Sequence, residues 1–164
     1  MIFFFMGWYF AERYDAVVSF RNFAVKNNYK LKIFLYCPLS SYIKEMLKGN
    51  LLDRSIVSFI PMKRVEYLTL LSKSKVMVDV SNPRQTGVAM RVIEAISLNV
   101  KVLTNNLNLR EDEILGKAGI ISFFDEKDVR FEQDILDVQS FEYSHNLTLS
   151  LELWLSKLFG VYED

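Results

Sequence analysis

An arginine and a glutamate near the middle of the chain have the spacing and the chemistry of a nucleotide site. Arg91 and Glu94 are three residues apart, so on a helix they lie on one face. A guanidinium group binds phosphate, and a carboxylate accepts hydrogen bonds from ribose hydroxyl groups. An ion pair between the two residues on a solvent-exposed helix face is the alternative explanation of the same spacing.

The segment around this pair has the pattern strand, loop, helix, strand. Val76 to Val80 is short and β-branched, which is typical of a buried strand. A loop with Asn82-Pro83 and Gly87 follows, and the next strand begins near Val100. Between them, apolar residues recur at helical spacing, at Val88, Ala89, Val92, Ile93 and Ile96.

Such a βαβ unit places its first loop beside the N-terminus of the crossover helix. Free backbone N–H groups and the helix dipole favour an anion there, and a phosphate fits this requirement. Gly87 permits a backbone conformation with positive φ at this turn, and it allows the backbone to approach a phosphate closely.

The rest of the chain alternates strands and helices. Strands are predicted at about residues 2–6, 31–36, 56–60 and 120–123, and helices at about 13–27, 63–72 and 148–159. A further helix ends at Lys48 with Ser40 or Ser41 as its N-cap, and residues 126–138 form a charged segment with a partial helix. The pattern predicts an α/β fold, a doubly wound, Rossmann-like parallel sheet of about six strands flanked by helices.

The composition of the chain limits the classes of partner that it can attract. The chain has 164 residues and is expected to form a single domain over 1–164. Its 20 basic and 20 acidic residues cancel, so no net electrostatic field attracts nucleic acid or an anionic membrane.

The single Cys37 cannot form an internal disulfide, which indicates a reducing compartment. The apolar start, Met1 to Met6, is too short to span a bilayer and is interpreted as a buried strand, so no transmembrane segment is expected.

Thr86-Gly87-Val88-Ala89-Met90-Arg91-Val92-Ile93-Glu94-Ala95-Ile96 resembles the donor-binding segment of GT-B glycosyltransferases. It is most similar to bacterial lipopolysaccharide and capsule transferases, whose pattern is Gln-x-Gly-Leu-Thr-x-Arg-x-x-Glu-Ala. Broader retaining families carry two glutamates separated by seven residues, and Glu94 matches the second, which is associated with the nucleotide ribose. Thr86 occupies the place of the first glutamate, so Gln85 or Thr86 is expected to face the donor sugar through a neutral hydrogen bond.

A second loop, after the first strand, is expected to share this ligand. In a doubly wound sheet the loop from Gly7 to Arg13 flanks the same crevice. The transferases place a glycine and then a basic residue here to meet the donor diphosphate, although Arg13 is equally explained as a surface residue of a first helical turn. The resemblance therefore implies nucleotide and diphosphate contacts from Gly7, Arg13, Gly87, Val88, Arg91 and Glu94.

The resemblance implies a nucleotide-sugar-binding lobe for cell-surface polysaccharide or lipopolysaccharide synthesis. The nucleotide sugar is the substrate, and no metal or other cofactor is expected. The acceptor and any catalytic base belong to an N-terminal lobe for which 164 residues leave no room. The chain is therefore expected to be a fragment, a split-gene product or a lobe that pairs with a separate chain. We expect a cytoplasmic location, peripheral to the inner membrane only through that partner lobe.

Two other classes of protein remain as alternatives. One is a non-catalytic α/β interaction or binding module with an empty cleft. The other is a phospho-acceptor receiver domain, suggested by Asp79 at the end of a central strand and Thr104 at the end of the next, although Gly7-Trp8-Tyr9 replaces the acidic pair that a receiver needs. No GxGxxG motif, Walker loop, Gly-x-Ser-x-Gly elbow or metal-ligand spacing occurs, and His145 is expected in a polar surface turn.

Overall fold

The computed structural model describes residues 3–82, 87–111, 120–125, 129–131 and 133–136. The strands are β1 (Phe3–Trp8), β2 (Leu31–Tyr36), β3 (Val57–Ser58), β4 (Val76–Asp79), β5 (Lys101–Thr104) and β6 (Ile121–Phe123). The helices are α1 (Ala11–Lys26), α2 (Leu39–Leu47), α3 (Arg64–Ser72) and α4 (Met90–Ser97), with 3-10 turns at Leu107–Arg110 and Gln133–Leu136. The predicted α/β class is confirmed.

The strands form one parallel sheet in the order β3-β2-β1-β4-β5-β6. β1 pairs with β2 on one side and with β4 on the other, and Phe3 lies opposite both Leu31 and Val76. The order reverses between β1 and β4, which is the topological switch point where doubly wound sheets bind their ligands. Receiver domains have the flavodoxin-like order 2-1-3-4-5, so the strand order rejects the receiver alternative.

Both faces of the sheet are buried, which explains the continuous apolar runs in its strands. On one face, Phe3 and Phe5 of β1 pack with α1 residues such as Phe20. On the other face, Phe4 packs with α3 and α4, including Leu71 and Ile96. The alternation of Phe3, Phe4 and Phe5 therefore divides the core into two layers.

Several boundaries differ from the prediction. β1 continues to Trp8, because Gly7 and Trp8 pair with Leu35 and Tyr36 of β2. β3 has only two residues, since the Ser58 hydroxyl donates to the Ile60 carbonyl oxygen and accepts from the Ile60 N–H, which turns the chain away from the sheet.

Two helix starts were also wrong. The N-cap of α2 is Pro38, without a side-chain capping bond, so neither Ser40 nor Ser41 caps the helix. α4 begins at Met90 with Ala89 as its N-cap, and Val88 precedes the helix. Gly49, which follows α2, has a left-handed conformation with φ +86°, as is common for a glycine at the C-terminus of a helix.

The predictions for residues 148–159 and for His145 lie outside the described residues. Of the predicted partial helix in 126–138, the structure describes the short turn Gln133–Leu136. Within the described ranges, no helix is long and apolar enough to cross a membrane.

The aromatic packing around Phe20 gives the first prediction. Phe20 is buried, with ring centroids 5.3 Å from Phe3 and 5.7 Å from Phe124. Phe20→Ala should lower the free energy of unfolding by about 3–5 kcal/mol, because it removes buried surface and leaves a cavity. Val25→Ala, at an exposed position of the same helix, should change it by less than about 0.5 kcal/mol. Urea unfolding followed by circular dichroism measures both, and equal effects would contradict this packing.

Candidate functional site

Asp79, the last residue of β4, is the centre of a buried polar cluster. Its side chain is 1 % exposed, and its Oδ1 accepts a hydrogen bond of 2.6 Å from Nε of Arg91 on α4. Its Oδ2 accepts one of 2.8 Å from the hydroxyl of Thr104, the last residue of β5. Arg91 also donates from Nη2 to the carbonyl oxygen of Val80, at 3.2 Å. Asp79 therefore joins α4 to the carboxyl ends of two neighbouring strands.

Arg13 reaches the same cluster from α1 and is 5 % exposed. Its Nε donates to the Val80 carbonyl oxygen at 2.8 Å, its Nη1 donates to the Trp8 carbonyl oxygen at 2.9 Å, and its guanidinium lies over the Phe10 ring. Two guanidinium groups thus converge on the carbonyl of Val80, across the switch point between β1 and β4. The alternative explanation from the sequence, that Arg13 is a surface residue of a first helical turn, is therefore wrong.

The charges of this cluster do not cancel. Burial lowers the pKa of Arg13 to about 10, the charge of Arg91 lowers it as well, and Asp79 opposes both. Arg13 therefore stays protonated at neutral pH. Two guanidinium groups and one carboxylate give this three-residue cluster one net positive charge, which favours an anionic ligand.

Gly7 makes room for Arg13. A Cβ atom on Gly7 would lie 3.1 Å from Cζ of Phe5, 3.2 Å from Cδ of Arg13 and 3.3 Å from Nη1 of Arg13. These distances are shorter than ordinary van der Waals contacts. A side chain at this position would push the arginine away from its carbonyl partners, so the packing of Arg13 is sufficient reason for the glycine.

Gly87 and Val88 lie between β4 and α4, immediately before the N-terminus of α4. The Gly87 carbonyl oxygen accepts a hydrogen bond from Nδ2 of Asn106 at 3.4 Å. The positive φ expected of Gly87 is wrong, since its φ lies outside the left-handed region, and a Cβ atom there would meet open space. Val88 packs against the core layer of α3 and α4. The fold itself does not require a glycine at residue 87.

Glu94 lies one helical turn after Arg91 and has a different partner. Its Oε1 forms an ion pair of 2.5 Å with Nη1 of Arg64, the first residue of α3. The side chain of Glu94 is 13 % exposed and that of Arg64 is 67 % exposed. The ion pair between Arg91 and Glu94, considered as an alternative from the sequence, is therefore not formed.

Of the predicted contacts, the structure brings Gly7, Arg13 and Arg91 together at the switch point. Glu94 faces α3 instead, and Gly87 and Val88 lie at the start of α4. The residues expected to face the donor sugar, Gln85 and Thr86, lie outside the described residues.

A cleft of about 600 Å³ opens along the carboxyl ends of β4, β5 and β6. Its described lining consists of Ser81, Asn82, Asn105, Asn106, Leu107, Asn108, Arg110, Phe123, Phe124, Asp125 and Arg130. None of the described residues predicted to bind the ligand is among them. The cleft nevertheless begins at Ser81, immediately after Val80, so it adjoins the buried cluster.

Two residues of the site were not assigned a binding role from the sequence. Asp79 and Thr104 were considered only as strand ends that suggest a receiver domain, although they lie opposite each other in the register of β4 and β5. Aligning the two strand ends would have placed both side chains together. Tyr67 of α3, beside Glu94, was not singled out and carries no sequence signal beyond its apolar helical spacing.

In the described part of the chain, no group of three or more histidine, cysteine, aspartate or glutamate residues is arranged to hold a metal ion. Comparison of the chain with protein-family models, curated proteins and solved structures found no match.

The close contacts at Gly7 predict a difference between the two site glycines. Gly7→Ala should lower the free energy of unfolding by about 1–3 kcal/mol, because the new methyl group overpacks Phe5 and Arg13. Gly87→Ala is the matched control and should leave stability equal or slightly raised, since its methyl group meets nothing and the unfolded chain loses freedom. Denaturant unfolding of both variants measures these changes. If Gly87→Ala lowers the free energy of unfolding as much as Gly7→Ala does, the predicted difference between the two glycines is wrong.

The buried pair of Asp79 and Arg91 predicts a large effect from removing one charge. Asp79→Asn should lower the free energy of unfolding by about 3 kcal/mol, because two guanidinium groups lose their counter-charge. An asparagine also cannot accept hydrogen bonds from Arg91 and Thr104 with both of its terminal atoms. Glu66→Gln on the exposed side of α3 is the control and should leave the unfolding midpoint unchanged. A stability like that of the wild type in Asp79→Asn would show that the carboxylate is not needed.

Proposed function

We propose that this chain is the nucleotide-sugar-binding lobe of a GT-B-type glycosyltransferase. The observation that carries the proposal is the buried cluster of Arg13, Asp79 and Arg91, whose net positive charge lies at the switch point of the sheet. Doubly wound sheets bind ligands in the crevice at this point, and the charge favours a diphosphate. The resemblance of residues 86–96 to the donor-binding segment supports the same interpretation.

In this proposal the diphosphate lies against the loop before α4. The backbone amides of Gly87 and Val88 face it, and open space in front of Gly87 allows a close approach. Arg13 and Arg91 are already bonded to Asp79 and to the Val80 carbonyl, so they act on the ligand mainly through their field. That field stabilises the negative charge that develops on the leaving diphosphate as the glycosidic bond breaks.

The two ends of the donor are held on opposite sides of this loop. Glu94, between α3 and α4, accepts hydrogen bonds from the ribose hydroxyl groups, which replace the largely exposed guanidinium of Arg64. The sugar extends toward Gln85 and Thr86. Asn82 and Asn106, in the adjoining cleft, have amide groups that suit sugar hydroxyls.

The remaining steps need a second lobe. The acceptor, of the cell-surface polysaccharide or lipopolysaccharide class, and any catalytic base belong to that lobe. The chain alone is therefore expected to bind the donor without turning it over. A partner chain or an additional domain would supply the other side of the cleft.

Calorimetric titration of the 164-residue chain tests the proposal. We expect saturable binding of one of UDP, GDP, CDP, ADP or dTDP. Glu94→Gln should weaken it about 10- to 100-fold, because a hydrogen bond to a charged group contributes about 1.5–3 kcal/mol. The control Glu66→Gln, on the exposed surface of α3, should bind like the wild type.

Two results would count against the proposal. A binding free energy of only about −3 kcal/mol would half-fill the site at a nucleotide concentration of about 5 mM. If none of the five nucleotides binds at that concentration, the chain is better described as a non-catalytic interaction module. If a nucleotide binds equally to the wild type and to Glu94→Gln, the ligand occupies a different site.

A further inference from the structure

The hydroxyl group of Tyr67 is an exception among the buried polar atoms. Among the buried side-chain nitrogen and oxygen atoms of the described residues, the hydroxyl oxygen of Tyr67 is the one that has no hydrogen-bond partner. The residue is 3 % exposed, and its ring packs on Phe4 with centroids 6.0 Å apart. A phenylalanine would provide the same packing on Phe4, so the ring packing alone does not explain the oxygen atom.

This hydroxyl lies close enough to the Glu94 carboxylate to interact with it, although the two do not form a hydrogen bond of normal geometry. Tyr67 follows Arg64 by three residues on α3, so both project from one side of that helix toward α4. Burial raises the pKa of Tyr67, and the carboxylate of Glu94 raises it further. Tyr67 is therefore a neutral hydroxyl at physiological pH, able both to donate and to accept a hydrogen bond.

The Glu94 carboxylate and the Tyr67 hydroxyl group together match two neighbouring hydroxyl groups on a ligand. A carboxylate accepts hydrogen bonds from one or two hydroxyl groups, and the tyrosine provides a second polar contact a short distance away. One carboxylate oxygen of Glu94 is taken by Arg64, whose side chain is mostly exposed. Because Arg64 can turn to solvent, an incoming diol can replace its guanidinium and take over the hydrogen bonds to the carboxylate.

We propose that Tyr67 is a second ribose-binding residue, and that its hydroxyl and Glu94 together make the site selective for ribonucleotides over deoxyribonucleotides. The inference rests on the proposed function and narrows it, since it predicts donors built on a ribonucleoside diphosphate. A site with buried polar groups discriminates against a ligand that lacks the matching hydroxyls, because those groups are then left unpaired. dTDP, which lacks the 2′-hydroxyl, should therefore be a poor ligand.

Tyr67→Phe tests this inference, because it removes the hydroxyl and keeps the ring. The chain is titrated with UDP, GDP, CDP and ADP and with the 2′,3′-dideoxy form of whichever binds. The variant should bind that ribonucleotide about tenfold more weakly than the wild type, whereas the dideoxy nucleotide should bind both proteins equally. Its thermal midpoint should equal or exceed that of the wild type, since an unsatisfied hydroxyl has been removed.

Tyr29→Phe is the matched control. Tyr29 packs on Phe3 in the other core layer and is not part of the proposed site. This variant should bind the ribonucleotide like the wild type.

The outcomes separate this inference from the proposed function. Equal ribonucleotide affinity in the wild type and in Tyr67→Phe overturns the inference, while the Glu94→Gln result still decides the proposed function. A lowered thermal midpoint with equal weakening toward both nucleotides shows that the hydroxyl supports the fold, and it overturns the inference as well. If the wild type binds no nucleotide, the proposed function fails and this inference fails with it.

Discussion

The hydrogen-bonded ion pair between Asp79 and Arg91 is the interaction on which the carboxyl edge of the sheet depends. A carboxylate that is 1 % exposed is stable only when its charge is compensated and its oxygen atoms are hydrogen-bonded. Arg91 compensates the charge and Thr104 satisfies the second oxygen. These bonds persist only while β4, β5 and α4 keep their relative positions, so the Asp79 side chain fixes the arrangement of the three elements.

The loops around the pair are tied into the same network. Asn105 accepts hydrogen bonds from the N–H and the hydroxyl of Ser81, and the N–H of Asn106 donates to the hydroxyl of Thr104. These bonds hold the segment after β4 against the segment after β5. A ligand that approaches the switch point thus meets groups whose positions are already set, which is the condition for efficient electrostatic stabilisation.

A positive site inside a chain of zero net charge is consistent with local recognition. The 20 basic and 20 acidic residues produce no overall attraction for polyanions, whereas the cluster of Arg13, Asp79 and Arg91 has two guanidinium groups for one carboxylate. Such a site selects a small anion that fits the crevice over an extended one that needs a broad basic surface. In the proposed function this small anion is a nucleoside diphosphate, and Glu94 and Tyr67 are the polar groups proposed to bind its ribose on the side of α3.

The sequence by itself determined the elements and the fold class. β2 has its predicted bounds, and the apolar runs of β1 and β4 identify strands buried on both faces, because side-chain periodicity is a local property of the chain. The tertiary structure decided which charged groups meet. Arg91 could have paired with Glu94 on its own helix, but it bonds the buried carboxylate of Asp79 instead. Arg64, distant in sequence, pairs with Glu94, and Gly7 leaves room for a side chain six residues away. Such pairings depend on distances across the sheet and on desolvation, which local spacing does not encode.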